Sequence, residues 1–224
     1  MTTPDDATTT PEHLERLGRL YTAVVADSLD RLGARNQVMA PHIRPLYPTA
    51  RVVGRAMTVQ CVTVDTMPAQ REDYYRGELQ AVDALTPGDV MVVSTCQGSY
   101  WGELLATAAR YRGATGIVLD AYGRDTLALI EMDFPTFWAG ISCADSLGRI
   151  DVSAVNTDIQ CGGVTVHAGD VLLGDHDGVV VIPTALVEET LRLAEEKVSG
   201  ENMVREKLAG GMPVHEAFLT YGVI

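Results

Sequence analysis

Gly113-Ala-Thr-Gly-Ile-Val-Leu-Asp-Ala-Tyr-Gly-Arg124-Asp125 runs from a helix stop through a short apolar segment into an arginine and an aspartate. Thr115 to Leu119 has no polar alternation, so it predicts a strand covered on both faces, as in the centre of a sheet. Asp120 to Asp125 then falls just past the strand's carboxyl end, the edge at which α/β sheets bind ligands.

The flanking segments fit that reading. Glu78 to Leu85 has helical spacing and ends at the turn Pro87-Gly88-Asp89, which feeds a strand, Val90 to Ser94. A loop, Thr95 to Gly102, leads to a helix, Glu103 to Arg112, closed by Gly113. Beyond Asp125, Thr126 to Met132 predicts a short helix and Phe134 to Trp138 another strand. Strand and helix alternate, which implies a sheet covered by helices and an α/β fold class.

Further out, Pro11 to Leu32 predicts an amphipathic helical region ending at Gly33. It contains Asp27-Ser-Leu-Asp30, which reads either as a helix junction with a local cap or as part of a site. Arg51 to Val64 is β-rich and broken by Gly54, and the charged stretch Thr66 to Gly77 predicts a solvated loop. From Val164 the texture changes to short strands separated by Gly-Asp turns, and Pro183 opens a long final helix, Thr184 to Ala209. The expected division is a disordered start (1–11), one α/β domain (12–183) and a C-terminal helical tail (184–224).

With 224 residues, 46% of them hydrophobic, the chain is long enough to bury a substantial core. No run approaches the roughly 18 apolar residues of a membrane span, and Met1 to Pro11 has neither a basic start nor an apolar centre, so the expected location is cytoplasmic. A formal net charge of -13 argues against a nucleic-acid partner, whose phosphates need neutralising by Lys and Arg. Cys61, Cys96, Cys143 and Cys161 are far apart, without Cys-x-x-Cys spacing, and read as free, mostly buried thiols.

Three places could carry chemistry. Gly102-Glu103-Leu104-Leu105 opens a helix whose first-turn amides can take a carboxylate or phosphate. Arg124 can hold a carboxylate bidentately and Asp125 can ligate a hard divalent cation, although an isolated Arg-Asp is also an ordinary surface ion pair. Both segments follow strands of one sheet, so they should share an edge and together suit a 2-oxo acid chelating a metal. In the final helix the apolar stripe Val187, Leu191, Ala194, Val198 continues through Glu201 and Arg205 to Leu208. Either the helix breaks at Ser199-Gly200 or Glu201 is aimed at something, such as a neighbouring subunit's site, while Glu195 and Glu196 fall off the stripe. Asp175-His-Asp-Gly178 reads as a β-turn rather than a metal cluster.

Gly102-Glu-Leu-Leu, Gly113-x-x-Gly116-x-Val-x-Asp120, Arg124-Asp125, Phe134-Pro135 and Gly169-Asp170 followed by Asp175-x-Asp177-Gly-Val-Val-Val form a recognisable set. With Asp27-Ser-Leu-Asp, Val53-Gly-x-Ala-x-Thr-Val and Pro87-Gly-Asp-Val, it resembles the family joining class II 4-hydroxy-4-methyl-2-oxoglutarate aldolases to the regulator of ribonuclease E activity A. The resemblance covers nearly the whole chain. It implies a swivelling β/β/α fold with a C-terminal helical tail, assembly as a homotrimer or homohexamer, and active sites between subunits.

Carried over by motif, the resemblance puts the pyruvate-carboxylate arginine at Arg124 and the direct metal ligand at Asp125. The amides that cradle the carboxylate fall at Leu104 and Leu105 after Gly102, and the acidic residue before them at Glu103. An acid from a neighbouring subunit's tail helix, Glu201 with Glu196 in reserve, would help hold the metal through water. The implied activity is Mg²⁺- or Mn²⁺-dependent cleavage of a 4-hydroxy-2-oxo acid to pyruvate through an enolate, with oxaloacetate decarboxylation as a companion. The rival is a non-catalytic regulator that binds a protein partner. Departures from the family pattern at Asp120-Ala121 and Trp138-Ala-Gly are expected near the site's mouth and put the acceptor side of the substrate in doubt.

Overall fold

A computed structural model describes residues 9–222. Of the start expected to be disordered, residues 1–8 lie outside the described residues, while Thr10 already caps the first helix by accepting from the N–H of His13. The helical region expected as far as Leu32 is two helices, α1 (Pro11–Leu17) and α2 (Thr22–Arg31), separated by a turn around Gly18. Asp27-Ser-Leu-Asp30 therefore lies inside a helix and not at a junction; the buried Ser28 hydroxyl donates to the carbonyl of Val24 at 2.8 Å.

A two-residue strand β1 (Arg44–Pro45) precedes β2 (Val52–Thr63), a single 12-residue strand that runs unbroken through Gly54. The charged stretch after it is less loop-like than its composition suggests, because α3 (Arg76–Asp83) begins within it. Then come β3 (Asp89–Val93), β4 (Ser99–Trp101), α4 (Glu103–Tyr111), β5 (Gly116–Gly123), α5 (Thr126–Glu131) and β6 (Thr136–Ile141). The second half adds β7 (Ile150–Val155), β8 (Ile159–Cys161), β9 (Val164–Val166), β10 (Val171–Asp175), β11 (Gly178–Ile182), α6 (Val187–Ala209) and α7 (Val214–Tyr221).

The strands form a nine-stranded sheet in the order β1-β6-β5-β3-β2-β10-β11, with β4 beside β5 and β7 beside β2. Its centre is parallel: β2 with β3, β3 with β5, β5 with β6. The flanks are antiparallel. Every residue of β3 is buried, and alternate side chains enter different cores. Met91, Val93, Ile117 and Leu119 meet Ala81, Ala106 and Leu129 of the covering helices α3, α4 and α5. Val90, Val92 and Val118 meet Val164 and Val166 of the β8–β9 hairpin and Val179 and Val181 of β11. The result is a layer of helices, the parallel sheet and a second β layer.

α6 starts after a 3-10 turn and does not break at Ser199-Gly200. Its first half packs Val187, Leu191 and Ala194 on Val24, Val25 and Leu29 of α2. Glu195, off the apolar stripe, is held by Arg16 of α1 through two bonds of 2.9 Å. The Asp175-His-Asp-Gly178 turn is the hairpin between β10 and β11, and its buried Asp175 accepts from the N–H and hydroxyl of Thr22 at 2.9 and 2.7 Å. That carboxylate satisfies the first amide of α2 in place of the capping side chain that Tyr21 lacks.

Candidate active site

β5 is longer than its apolar run. Because it continues to Gly123, Asp120 sits within the strand rather than past its end. The Asp120 carboxylate is buried, accepts from Gly162 N–H at 3.1 Å and from Thr95, and contacts His42 Nε2 at 2.8 Å. It ties the second β layer to the sheet. Of the stretch Asp120 to Asp125 expected past the strand, only Arg124 and Asp125 emerge at the edge.

The pairing of β4 with β5 brings the two expected segments together. Trp101 stands opposite Gly123, and the N–H of Arg124 donates to the Trp101 carbonyl at 2.8 Å. Gly102, which opens α4, and Asp125, which opens α5, are therefore neighbours. Asp125 adopts a left-handed backbone conformation (φ 59°), costly for most residues but tolerated by Asp. This conformation leaves its side chain uninvolved in capping its own helix; Oδ2 instead accepts from the N–H of Glu103 in α4 at 3.1 Å. A Cβ at position 102 would lie 2.7 Å from that same oxygen, so only glycine lets the carboxylate seat there.

Beyond this clamp, the amides of Leu104 and Leu105 have no acceptor among the described residues. The Glu103 carboxylate accepts from Thr107 one turn on at 2.8 Å. Arg124 Nη2 lies 3.5 Å from Asp145 Oδ1, and the other oxygen of Asp145 accepts from the Tyr75 hydroxyl at 2.6 Å. Burial by itself would raise the pKa of Asp145, but the Tyr75 hydrogen bond and the Arg124 charge outweigh it and hold the group below its ordinary value. Tyr75 is also left-handed (φ 55°), at the start of α3. Arg124, Asp125 and Leu104 separate two recesses: an open cleft of about 980 Å³ with Glu103, Leu127 and Ile141 in its wall, and a cavity of about 290 Å³ walled by Tyr75, Glu78, Trp101 and Ser146.

One chain thus brings together Gly102, Glu103, Leu104, Leu105, Arg124 and Asp125. It does not bring Glu201 or Glu196 to them. Glu201 accepts from the Tyr21 hydroxyl and stands 3.7 Å from Lys197 Nζ, so the odd acid on the apolar stripe has a partner in its own chain. Glu196 is exposed and pairs with Arg192 at 3.3 Å. Ala121 and Trp138, expected at the mouth, are both buried in the core beneath α4 and α5. Of the cysteines, Cys61 and Cys161 are buried and Cys96 partly so, while Cys143 is exposed in the open cleft.

Sequence reasoning missed Tyr75, Glu78, Asp145 and Ser146. Glu78 carried a readable signal: with Ala81, Val82 and Leu85 it forms a stripe at spacings of three and four, an acid on a buried face. It is 4% exposed.

No group of three or more His, Cys, Asp or Glu side chains able to hold a metal occurs among the described residues, so an all-protein cage is absent there. A cation bound by one carboxylate and mostly by water and substrate is a different case, and the donor set suits it. Asp125 is fixed through one oxygen, its other oxygen has no donor among the described residues, and hard oxygen ligands of this kind suit Mg²⁺ or Mn²⁺.

The sequence model of a family described as RraA-like, aldolase/RraA, matches residues 22–181. The chain belongs to the RraA-like family. A Halalkalibacterium halodurans protein, provisionally named 4-hydroxy-4-methyl-2-oxoglutarate aldolase, is 31% identical over 201 residues, covering 88% of this chain and 89% of that one. A solved protein from Pseudomonas syringae pv. tomato superposes with a TM-score of 0.81 at 26% identity, over 99% of this chain and all of the other. Streptomyces coelicolor RraAS2, described as an unusual member of the RNase ES inhibitor RraA protein family, gives a TM-score of 0.75 at 26% identity over 88% of this chain and 98% of that one. The RraA-like likeness confirms the swivelling β/β/α class with a C-terminal helical tail. Among the described residues no helix is long and apolar enough to cross a membrane.

Proposed function

We propose that this chain is a cytoplasmic, divalent-metal-dependent lyase that cleaves a 4-hydroxy-2-oxo acid, of the 4-hydroxy-4-methyl-2-oxoglutarate type, to pyruvate and a second carbonyl compound. The observation that carries the reading is the seating of Asp125 on the Glu103 amide, beside Arg124 and the open amides of Leu104 and Leu105. A carboxylate bidentate on Arg124 and capped by those amides would be held by charge-assisted bonds in one orientation. Asp125, with Glu201 of a neighbouring copy acting through water, would hold Mg²⁺ or Mn²⁺. The cation supplies Lewis-acid polarisation of the 2-oxo oxygen. As the C4 hydroxyl loses its proton and the O–H pair forms the carbonyl of the second product, the C3–C4 pair becomes the enolate of pyruvate, and the guanidinium of Arg124 stabilises charge that grows in the transition state. Glu103, at the lip of the open cleft, would return a proton to C3 through water. Oxaloacetate losing carbon dioxide passes through the same enolate, so decarboxylation is the expected companion activity.

Exposed apolar side chains around the site, Leu104, Leu127 and Ile141, and on α7, Val214, Phe218 and Leu219, support association between copies, for which a homotrimer or homohexamer is the assembly we propose. The purified protein with Mg²⁺ should release pyruvate from 4-hydroxy-2-oxo acids and oxaloacetate and stop on addition of chelator. Release from none of them sinks the lyase reading and leaves the second one, a regulator that binds a protein, which the relative described as belonging to an RNase inhibitor family favours.

A further inference from the structure

Glu78 has no part in the chemistry so far, yet it is a carboxyl group buried at 4% exposure in the wall of the smaller cavity, which it shares with Arg124 and Asp125. Burying a carboxylate is costly unless it is paired. Its hydrogen-bond donor among the described residues is a neutral one, Ser146 Oγ at 3.0 Å. Ser99, Tyr75 and Ser146 share the wall with Glu78. A cavity with a half-satisfied acid among hydroxyl-bearing side chains suits a hydroxylated, polar guest.

Resting on the lyase reading above, we propose that Glu78 is the base that removes the C4 hydroxyl proton of the 4-hydroxy-2-oxo acid, with the C4 end of the substrate seated in this cavity. Arg124 would sit between the two halves, its guanidinium on the 2-oxo acid carboxylate. In the cleavage, the hydroxyl proton passes to a Glu78 oxygen and the O–H pair becomes the new C4 carbonyl bond. The C3–C4 pair moves to C3 as the enolate. Water near Glu103 delivers a proton to C3 to complete pyruvate and Glu78 gives its proton up to solvent, so the net change is one proton moved from the C4 oxygen to C3 and no oxidant or co-reactant enters.

The surroundings suit a proton acceptor working near neutrality. Burial pushes the pKa of Glu78 up to about 7; the Ser146 bond opposes the rise, Asp145 and Asp151 add to it, and Arg124 opposes it. Tyr100, Cys61 and Cys96 also face this region.

Oxaloacetate separates this role from that of the shared enolate machinery, because it reaches the same enolate with no C4 hydroxyl to deprotonate. With Mg²⁺ present, Glu78→Gln is expected to lower the ratio of 4-hydroxy-2-oxo acid cleavage to oxaloacetate decarboxylation by about 100-fold, the scale of general-base catalysis. Ser146→Ala, which removes the bond that holds the pKa down, should move the acidic limb of the cleavage profile to higher pH. A ratio unchanged in Glu78→Gln, or an acidic limb unmoved in Ser146→Ala, overturns the assignment while leaving the lyase reading standing. Wild-type protein that releases pyruvate from neither substrate overturns both.

Discussion

Asp125 accepts a hydrogen bond from the backbone N–H of Glu103 at 3.1 Å, so the residue that begins α5 clamps the beginning of α4. The contact joins two strand ends through a single carboxylate. Its dependence on glycine at 102 gives the first prediction. The backbone there is extended (φ -159°), so Gly102→Ala strains no dihedral, yet its Cβ would stand 2.7 Å from Asp125 Oδ2 and displace it. Pyruvate release should fall on the order of 100-fold with the melting temperature little changed, because misplacement by about an ångström is enough to lose that much. Calorimetry alongside the pyruvate assay checks it, and full activity in the variant would remove Asp125 from the site.

Arg124→Ala should lose about 100- to 1,000-fold in pyruvate release, the scale seen on deleting a preorganised electrostatic group. Glu196→Ala, at an exposed helix position paired with Arg192, should lose far less. Steady-state kinetics on both variants measures the difference; equal modest losses would cancel the assignment of Arg124.

Tyr75 orients Asp145, and Asp145 stands against Arg124. Tyr75→Phe removes the hydroxyl and should let the pKa of Asp145 rise toward its ordinary value, since that hydrogen bond is the leading influence holding it down against burial. Stability should drop by about 1 kcal/mol. KM should rise more than kcat falls, because Arg124 is less firmly held while its charge is kept. A kcat loss with KM unchanged would contradict this.

Glu78 also makes stability depend on pH. Its folded-state pKa is raised from 4.5 to about 7, chiefly by burial. A carboxyl raised on folding binds its proton more tightly in the native state, so its contribution is fully present below the unfolded pKa and is lost as pH rises through the folded one. The wild type should therefore lose stability relative to Glu78→Gln across roughly pH 5 to 7, by on the order of 3 kcal/mol. Asp145 has the opposite sign: its depressed pKa gives a contribution present above its unfolded value and lost on acidification. Urea unfolding of both proteins across this range decides the point; parallel pH curves would show that Glu78 is not buried as the structure places it.

Ala121 lies in the core beneath the helices, 1% exposed, and not at the site's mouth. Ala121→Gly should cost roughly 1 kcal/mol through backbone entropy and a lost methyl contact. Its ranking of substrates should match the wild type's. A changed ranking in a substrate panel would return Ala121 to the site.

Much of the molecule was legible in one dimension. The apolar runs of β3 and β5, the turn at Pro87-Gly88-Asp89 and the helix opening at Gly102 each follow from local spacing, and with them the order of strands and helices. The meeting of Gly102 with Arg124 and Asp125 follows from those elements because parallel strands bring their carboxyl ends to one edge. Where β5 ends was not legible, because strand pairing with β4 and β6 carries it past its apolar run to Gly123 and so buries Asp120. Tertiary structure alone brought Asp145 and Ser146 from the segment before β7 onto Arg124 and Glu78, residues separated by 21 and 68 positions. It also turned Ala121 inward and gave Glu201 the hydroxyl of Tyr21. Periodicity reports which face of an element is buried; what that face meets is set by chain crossings that no local pattern encodes.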